Sequence, residues 1–142
     1  MKNFELIDHK ADTGFRAYGK TLEEAFENAG LALTEIYADS EKVTPSQEVE
    51  ISVSSEDLKA LLYDWLDELI YLHDGKDFIA SEFTIDEISE IEEGYELNGM
   101  VSGEKYDSDK HGQRTGVKAM TYHMMEIGNE EDHYFVQVIV DI

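Results

Sequence analysis

Hydrophobic positions along this chain repeat with two periods, and each change of period marks a new element. Phe4-Glu5-Leu6-Ile7-Asp8 and Phe15-Arg16-Ala17-Tyr18-Gly19 read as short strands. Between them His9 to Gly14 is a stretch of Asx, Thr and Gly turn chemistry. Thr21-Leu22-Glu23-Glu24 is a capping box, and Leu22, Ala25, Phe26, Ala29, Leu33, Ile36 and Tyr37 follow it at helical spacing, which predicts a helix from Thr21 to Tyr37. After a polar connection holding the only proline, Pro45, the run Val49 to Val53 alternates as a strand with one buried face. Ser54-Ser55-Glu56-Asp57 offers a second capping box, ahead of Leu58, Leu61, Leu62, Trp65, Leu66, Leu69 and Ile70 on one helical stripe. The turn residues His73-Asp74-Gly75-Lys76 are expected to end that helix.

From Phe78 onward every pattern is that of strands. Phe78-Ile79-Ala80, Phe83 to Asp86 and Tyr95 to Val101 alternate, with Gly99 and Gly103 pointing to a bulge or a close backbone approach. Tyr106 to Gly116 reads as a polar loop, a binding surface or simply mobile. Val117 to Ile127 is expected to form one long strand, joined through Gly128 to Asp132 to a final strand, Phe135 to Ile142. Two capped helices among about seven strands, mostly joined by hairpins, predict an α+β fold. The expected form is two-layered, with both helices on one side of a mixed or mostly antiparallel sheet, in a single domain over residues 1–142.

Composition narrows the function classes. Eleven basic against thirty-three acidic residues give a net charge of −22, which opposes phosphate-backbone binding and favours a basic partner or a cation. Without cysteine there are no disulfides, thiolate metal sites or cysteine nucleophiles. The start, Met1-Lys2-Asn3-Phe4, carries no signal-peptide pattern and no stretch reaches the length of a membrane span, so a cytoplasmic protein is expected. The five histidines show no zinc-ligand spacing, and no GxGxxG, P-loop or G-x-S-x-G motif is present. His123, beside Tyr122 and Thr121, is a weak candidate for a general base, a packed strand histidine being the plainer reading.

The last strand carries the remaining candidate chemistry. Val136, Val138, Val140 and Ile142 fall on one face, and a terminus tied into a sheet sets the Asp141 side chain beside the Ile142 α-carboxylate. Like charges held together repel unless a cation or donor neutralises them; the plainer alternative is a solvated end with one ordinary acidic residue. Asp12 is placed either to close an Asx-turn or to point a carboxylate at a ligand. If the first and last strands lie near each other, Asp12, Asp141 and Ile142 form an all-oxygen set suited to Ca2+, Mg2+ or Mn2+.

Several long runs resemble one family in order along essentially the whole chain. They are His9-Lys10-Ala11-Asp12, Arg16 to Phe26, Leu61-Leu62-Tyr63-Asp64-Trp65-Leu66, Val117 to Met124 and the closing Val140-Asp141-Ile142, and the family they resemble is archease. Lys10, where the family often has Thr, Gly14 and the very acidic loops are the departures. The resemblance implies a protein that is not itself an enzyme. It would activate an RtcB-type RNA ligase in tRNA splicing, promote guanylylation of that ligase with GTP, permit repeated turnover and broaden nucleotide use. It also implies that Asp12, Asp141 and Ile142 bind a divalent cation, calcium in the family; that no direct nucleic-acid or membrane contact is expected follows separately, from the charge and from the lack of a spanning stretch. Two other classes stand beside it, a general acidic binding module or chaperone and an autonomous metal-dependent hydrolase.

Overall fold

The computed structural model describes residues 3–8 and 12–142. In chain order the elements are β1 (Phe4–Asp8), β2 (Asp12–Gly19), α1 (Leu22–Tyr37), a 3-10 turn (Ser40–Lys42), β3 (Gln47–Ser55) and α2 (Leu58–Lys76). They continue with β4 (Phe78–Ile91), β5 (Gly94–Lys105), the one-turn α3 (Ser108–His111), β6 (Ala119–Met120), β7 (Glu126–Glu130) and β8 (His133–Asp141). The α+β class is as expected, and its strands divide between two sheets. One has the order β1-β2-β8-β6, with β7 also on β8, and the other the order β3-β5-β4; the pairings described are antiparallel.

Helix α1 joins the two sheets, packing against β2 and β4 together. Thr21 caps it as predicted, its hydroxyl accepting from the Glu24 N–H at 3.1 Å, while the Glu24 carboxylate reaches back to the Lys20 N–H. Its buried stripe includes Ala25, Phe26, Ala29, Leu33, Ile36 and Tyr37, all positions expected from the 3.6 period. In α2 the buried residues Leu61, Leu62, Trp65, Leu66, Leu69 and Ile70 likewise match the predicted stripe. The Trp65 indole donates to the Phe26 carbonyl at 2.9 Å and meets the Phe83 ring edge-on, locking the two helices over β4.

Helix α2 differs from expectation at both ends. Asp57, not the serines, is the cap, accepting from the Ala60 N–H at 2.8 Å. Ser54 and Ser55 are taken by β3, whose pairing with β5 continues through them, and Ser55 bonds Asp64 instead. The helix runs through Lys76 and stops at Asp77, which takes the left-handed conformation at φ 51° that a short polar side chain tolerates.

Strand β4 runs unbroken from Phe78 to Ile91, taking in the expected runs at Phe78 and Phe83 and their extension through Ile88 and Ile91. It gains one extra residue between Ala80 and Glu82 and another between Ile85 and Glu87. Each irregularity faces a glycine of β5: Gly103 pairs with Ala80 and Gly99 with Ile85. A Cβ on Gly99 would lie 2.6 Å from the Thr84 carbonyl oxygen, and one on Gly103 would strike the Ile79 carbonyl, so the bulged strand closes only over glycine. As an edge strand β4 needs cover, and α1 supplies it. Glu27 accepts from the Ile85 N–H at 2.8 Å, Glu23 from the Ile88 N–H at 3.1 Å, and the Thr34 hydroxyl donates to the Ala80 carbonyl at 2.8 Å.

The largest departure lies between Val117 and Ile127. Only Ala119–Met120 and, after a turn, Glu126–Glu130 are strand. Met124 breaks the run with φ 54°, and its carbonyl accepts from the buried Gln137 side chain at 2.9 Å. Alternation along the sequence carries no trace of a tertiary bond of this kind. Of the expected loop His9 to Gly14, Asp12, Thr13 and Gly14 already belong to β2, where the ladder to β8 claims their backbone, and His9, Lys10 and Ala11 lie outside the described residues. No helix among the described residues is long and apolar enough to cross a membrane.

If the α1 carboxylates serve the β4 edge, Glu27→Ala leaves the Ile85 N–H without its acceptor. Stability in urea denaturation then falls by about 1–3 kcal/mol, the usual cost of an unsatisfied buried donor. Amide exchange at Ile85 speeds up in the same variant.

Candidate metal centre

Strand β8 runs between β2 on one side and β6 and β7 on the other. Its pairing with β2 starts at Tyr134 opposite Gly19 and ends at Asp141 opposite Asp12. Directly paired residues in an antiparallel ladder have Cα atoms about 4.5–5.5 Å apart. Positions 12 and 141, widely separated in sequence, are thus neighbours through register alone. On the far side Asp141 pairs with Ala119, and the Lys118 N–H donates to the Asp141 carbonyl at 2.8 Å. The backbone at Asp141 is held from both flanks, while its side chain is exposed and Ile142 packs half-buried against the core.

The expected approach of the first turn to the last strand is therefore present in the backbone, between Asp12 and Asp141 with Ile142 next along. The Asp12 carboxylate lies outside what the structure describes. Among the described residues no group of three or more Asp, Glu, His or Cys side chains gathers at one point. The expected set draws only two side chains, those of Asp12 and Asp141, and takes its third oxygen group from the main chain of Ile142. Carboxylate oxygens are hard, anionic donors that suit Ca2+, Mg2+ or Mn2+ far better than zinc or copper, so the residues meeting at this corner fit the kind of ion expected.

His123 does not sit on a strand. It is exposed in the turn after β6, where its backbone N–H donates to Thr121 Oγ1 at 3.1 Å.

The loop from Tyr106 to Gly116 is built around a buried histidine that sequence reasoning did not single out. His111 is 1 % exposed. Its Nδ1 accepts from the Asp107 N–H at 3.0 Å, which leaves Nε2 to carry the proton and donate to Glu104 at 2.8 Å. Glu104 also accepts from Lys110 Nζ at 2.7 Å and from the Thr44 N–H at 2.9 Å. The bond from Lys110, then those from Thr44 and His111, hold its carboxyl down at about 2. Tyr106 stacks on His111 and meets His73 at a steep tilt, and His73 lies on Tyr37, so a chain of ring contacts ties the loop to the ends of α1 and α2. Burial lowers the pKa of His73 despite its bond to the Phe78 carbonyl. The segment is thus a docked structural piece. Glu104 and His111 sit on opposite sides of a turn, and their spacing alone gave no sign of the pair.

The comparisons with known proteins agree in direction. The sequence model of the archease protein family matches residues 4–142. Archease of Methanothermobacter thermautotrophicus is 44 % identical over 142 residues, covering all of both chains. That of Pyrobaculum neutrophilum is 46 % identical, covering 99 % of this chain and 95 % of its own. The solution structure of Methanobacterium thermoautotrophicum protein 1598 superposes with a TM-score of 0.85 at 43 % identity, over the full length of both. A Thermotoga maritima crystal structure, described as an archease and possible chaperone, shares the fold. Its TM-score is 0.61 at 22 % identity, over 96 % of this chain and 94 % of its own.

Glu104 carries a testable pH dependence. A carboxylate held below its ordinary value of 4.5 contributes stability that is present above that value and is lost as pH falls toward 2. Glu104→Gln is therefore expected to be less stable than wild type at pH 7, and the gap in urea midpoint closes progressively between pH 4.5 and 2.

Proposed function

This chain belongs to the archease family, and from that premise we propose that it is a non-catalytic activator of an RtcB-type tRNA-splicing RNA ligase. It promotes the ligase's guanylylation with GTP, permits repeated turnover and broadens the nucleotide the ligase accepts. The working part is the corner where Asp12 faces Asp141, and the single observation that supports it is the register of β2 on β8. The Asp12 and Asp141 carboxylates, with the main-chain carboxylate of Ile142, would hold a divalent cation, calcium by family resemblance. Such an ion supplies concentrated positive charge to phosphate oxygens. The protein's own part is to present these oxygens on a backbone fixed from both flanks and to bring a strongly acidic surface to a basic partner.

A second reading is a general chaperone, favoured by the description of the Thermotoga maritima relative and by the net charge of −22. It differs in what it tolerates, because removing one carboxylate barely changes so large a charge.

Guanylylation of the cognate ligase with GTP and divalent metal separates the two. Wild type is compared with Asp12→Ala, Asp141→Ala and a chain extended by one residue after Ile142, which converts its carboxylate to an amide. All three variants should remain folded and lose stimulation by on the order of 10- to 100-fold, the scale on which even outer-sphere partners of a metal act. Stimulation equal to wild type by all three contradicts the carboxylate site and supports the chaperone reading. Turnover of substrate by the purified chain without any ligase contradicts the non-catalytic role.

A further inference from the structure

The segment from Lys118 to Met125 is laid along β8 and clamped there. Lys118 bonds Asp141, Met120 pairs with Val140, the Thr121 hydroxyl donates to the Ile139 carbonyl at 2.9 Å, and Gln137 donates to the Met124 carbonyl. Met120 and Met125 are buried at its two ends. Gln137 is itself held by Arg16, whose guanidinium donates to its side-chain oxygen at 3.0 Å and lies over the Phe135 ring. Between the clamps the chain turns outward. Tyr122 is 55 % exposed and Met124 51 % exposed, the latter in a left-handed conformation that a side chain of its size rarely adopts.

Three observations bear on what this turn can bind. Its backbone is held at a conformational cost, and such strain persists where the surroundings impose it and gathers at functional segments. Tyr122 is preorganised, stacked on Tyr63 of α2 with ring centroids 4.6 Å apart and planes 18° from parallel, so docking would order little that is not already ordered. The rim is acidic. Partial desolvation first, then the fields of Asp64 and Asp57, with smaller contributions from Tyr63 and Glu56, push the Tyr122 hydroxyl above its ordinary range. Exposed aromatic rings and methionines are the anchors that protein interfaces favour. Carboxylates around them select a surface of opposite charge and repel phosphates.

We infer that Tyr122 and Met124 form the anchor by which this protein docks on its ligase, seated in an apolar recess of the ligase ringed by lysine and arginine. The inference rests on the activator reading and adds where contact is made. The turn continues the strand that pairs Ala119 with Asp141, so a partner docked on it would lie on the side of the sheet end that carries Asp141. The anchor grips and the carboxylates act.

The test measures both affinity and activity. The purified ligase is titrated with wild type, with the double variant Tyr122→Ser/Met124→Asn, and with Leu6→Ser. Leu6 is 52 % exposed on β1, at the other edge of the same sheet. Asparagine accepts the left-handed conformation at 124, and circular dichroism checks the fold; should the pair unfold, Tyr122→Ser alone carries the test. The double variant should bind the ligase more than tenfold more weakly, as expected for loss of an interface hot spot, and recover full stimulation of guanylylation at high concentration. Leu6→Ser should bind as wild type, and wild-type binding should weaken as salt rises. If wild type binds and stimulates while the double variant binds within twofold of it, the anchor is overturned and the activator reading stands. If wild type neither binds nor stimulates the ligase, the activator reading fails and the anchor with it. Loss of binding to RNA alone in the double variant, with ligase binding intact, also overturns the proposal.

Discussion

Strand β2 meets strand β8 from opposite ends of the sequence, and the register of that meeting is fixed by what the two strands bury. Phe15 pairs with Val138 and Ala17 with Val136, all inaccessible to solvent. A slip of one residue would send Phe15 and Ala17, or Val136 and Val138, to the opposite face of the sheet and out of the positions they fill in the core, so packing holds the register firmly. The same register brings Asp12 opposite Asp141. The geometry of the proposed site is thus set by packing that lies several residues away from it, and β6 repeats the arrangement from the other side by pairing Ala119 with Asp141.

The excess of acid, read as a surface property in the sequence, has a second use inside the fold. Glu23 and Glu27 accept from backbone N–H groups of the bulged edge strand, Glu35 holds Ser40 and Arg114, and Glu104 gathers Lys110, Thr44 and His111. Carboxylates are strong acceptors for main-chain donors that irregular strands and short turns leave over. An irregular β4 and an ordered loop after β5 are possible because these side chains satisfy them. Other carboxylates, such as Asp57, Asp64 and Glu56 near Tyr122, make none of these backbone-edge bonds to β4 or the loop after β5 and leave that surface acidic.

What the sequence made legible were the elements whose causes are local. Thr21 and Glu24 mark the start of α1, the leucine and tryptophan stripe marks α2, and the glycines at 99 and 103 mark the places where β4 bulges. The illegible parts depend on distant groups. Val117 to Ile127 alternates like a strand, yet Gln137 from β8 bonds the Met124 carbonyl and the chain turns. Ser54 has the spacing of a cap, yet β5 claims it for a ladder. Tyr106 to Gly116 looks like a loose polar loop, yet the buried His111 bonded to Glu104 nails it down. For the candidate site the residue types were readable at once, since Asp12 and Asp141 stand in recognisable runs. Their opposition needed the register of two strands, which no local pattern carries.

Calorimetric titration of the purified protein with Ca2+ tests the central claim most directly, because it requires neither the ligase nor RNA. Wild type should bind one ion per chain, and Asp12→Asn and Asp141→Asn should each abolish that binding while the thermal transition measured without calcium stays close to that of wild type. Undiminished binding in both variants would contradict the account, since the paired strand ends would then be a feature of the fold alone.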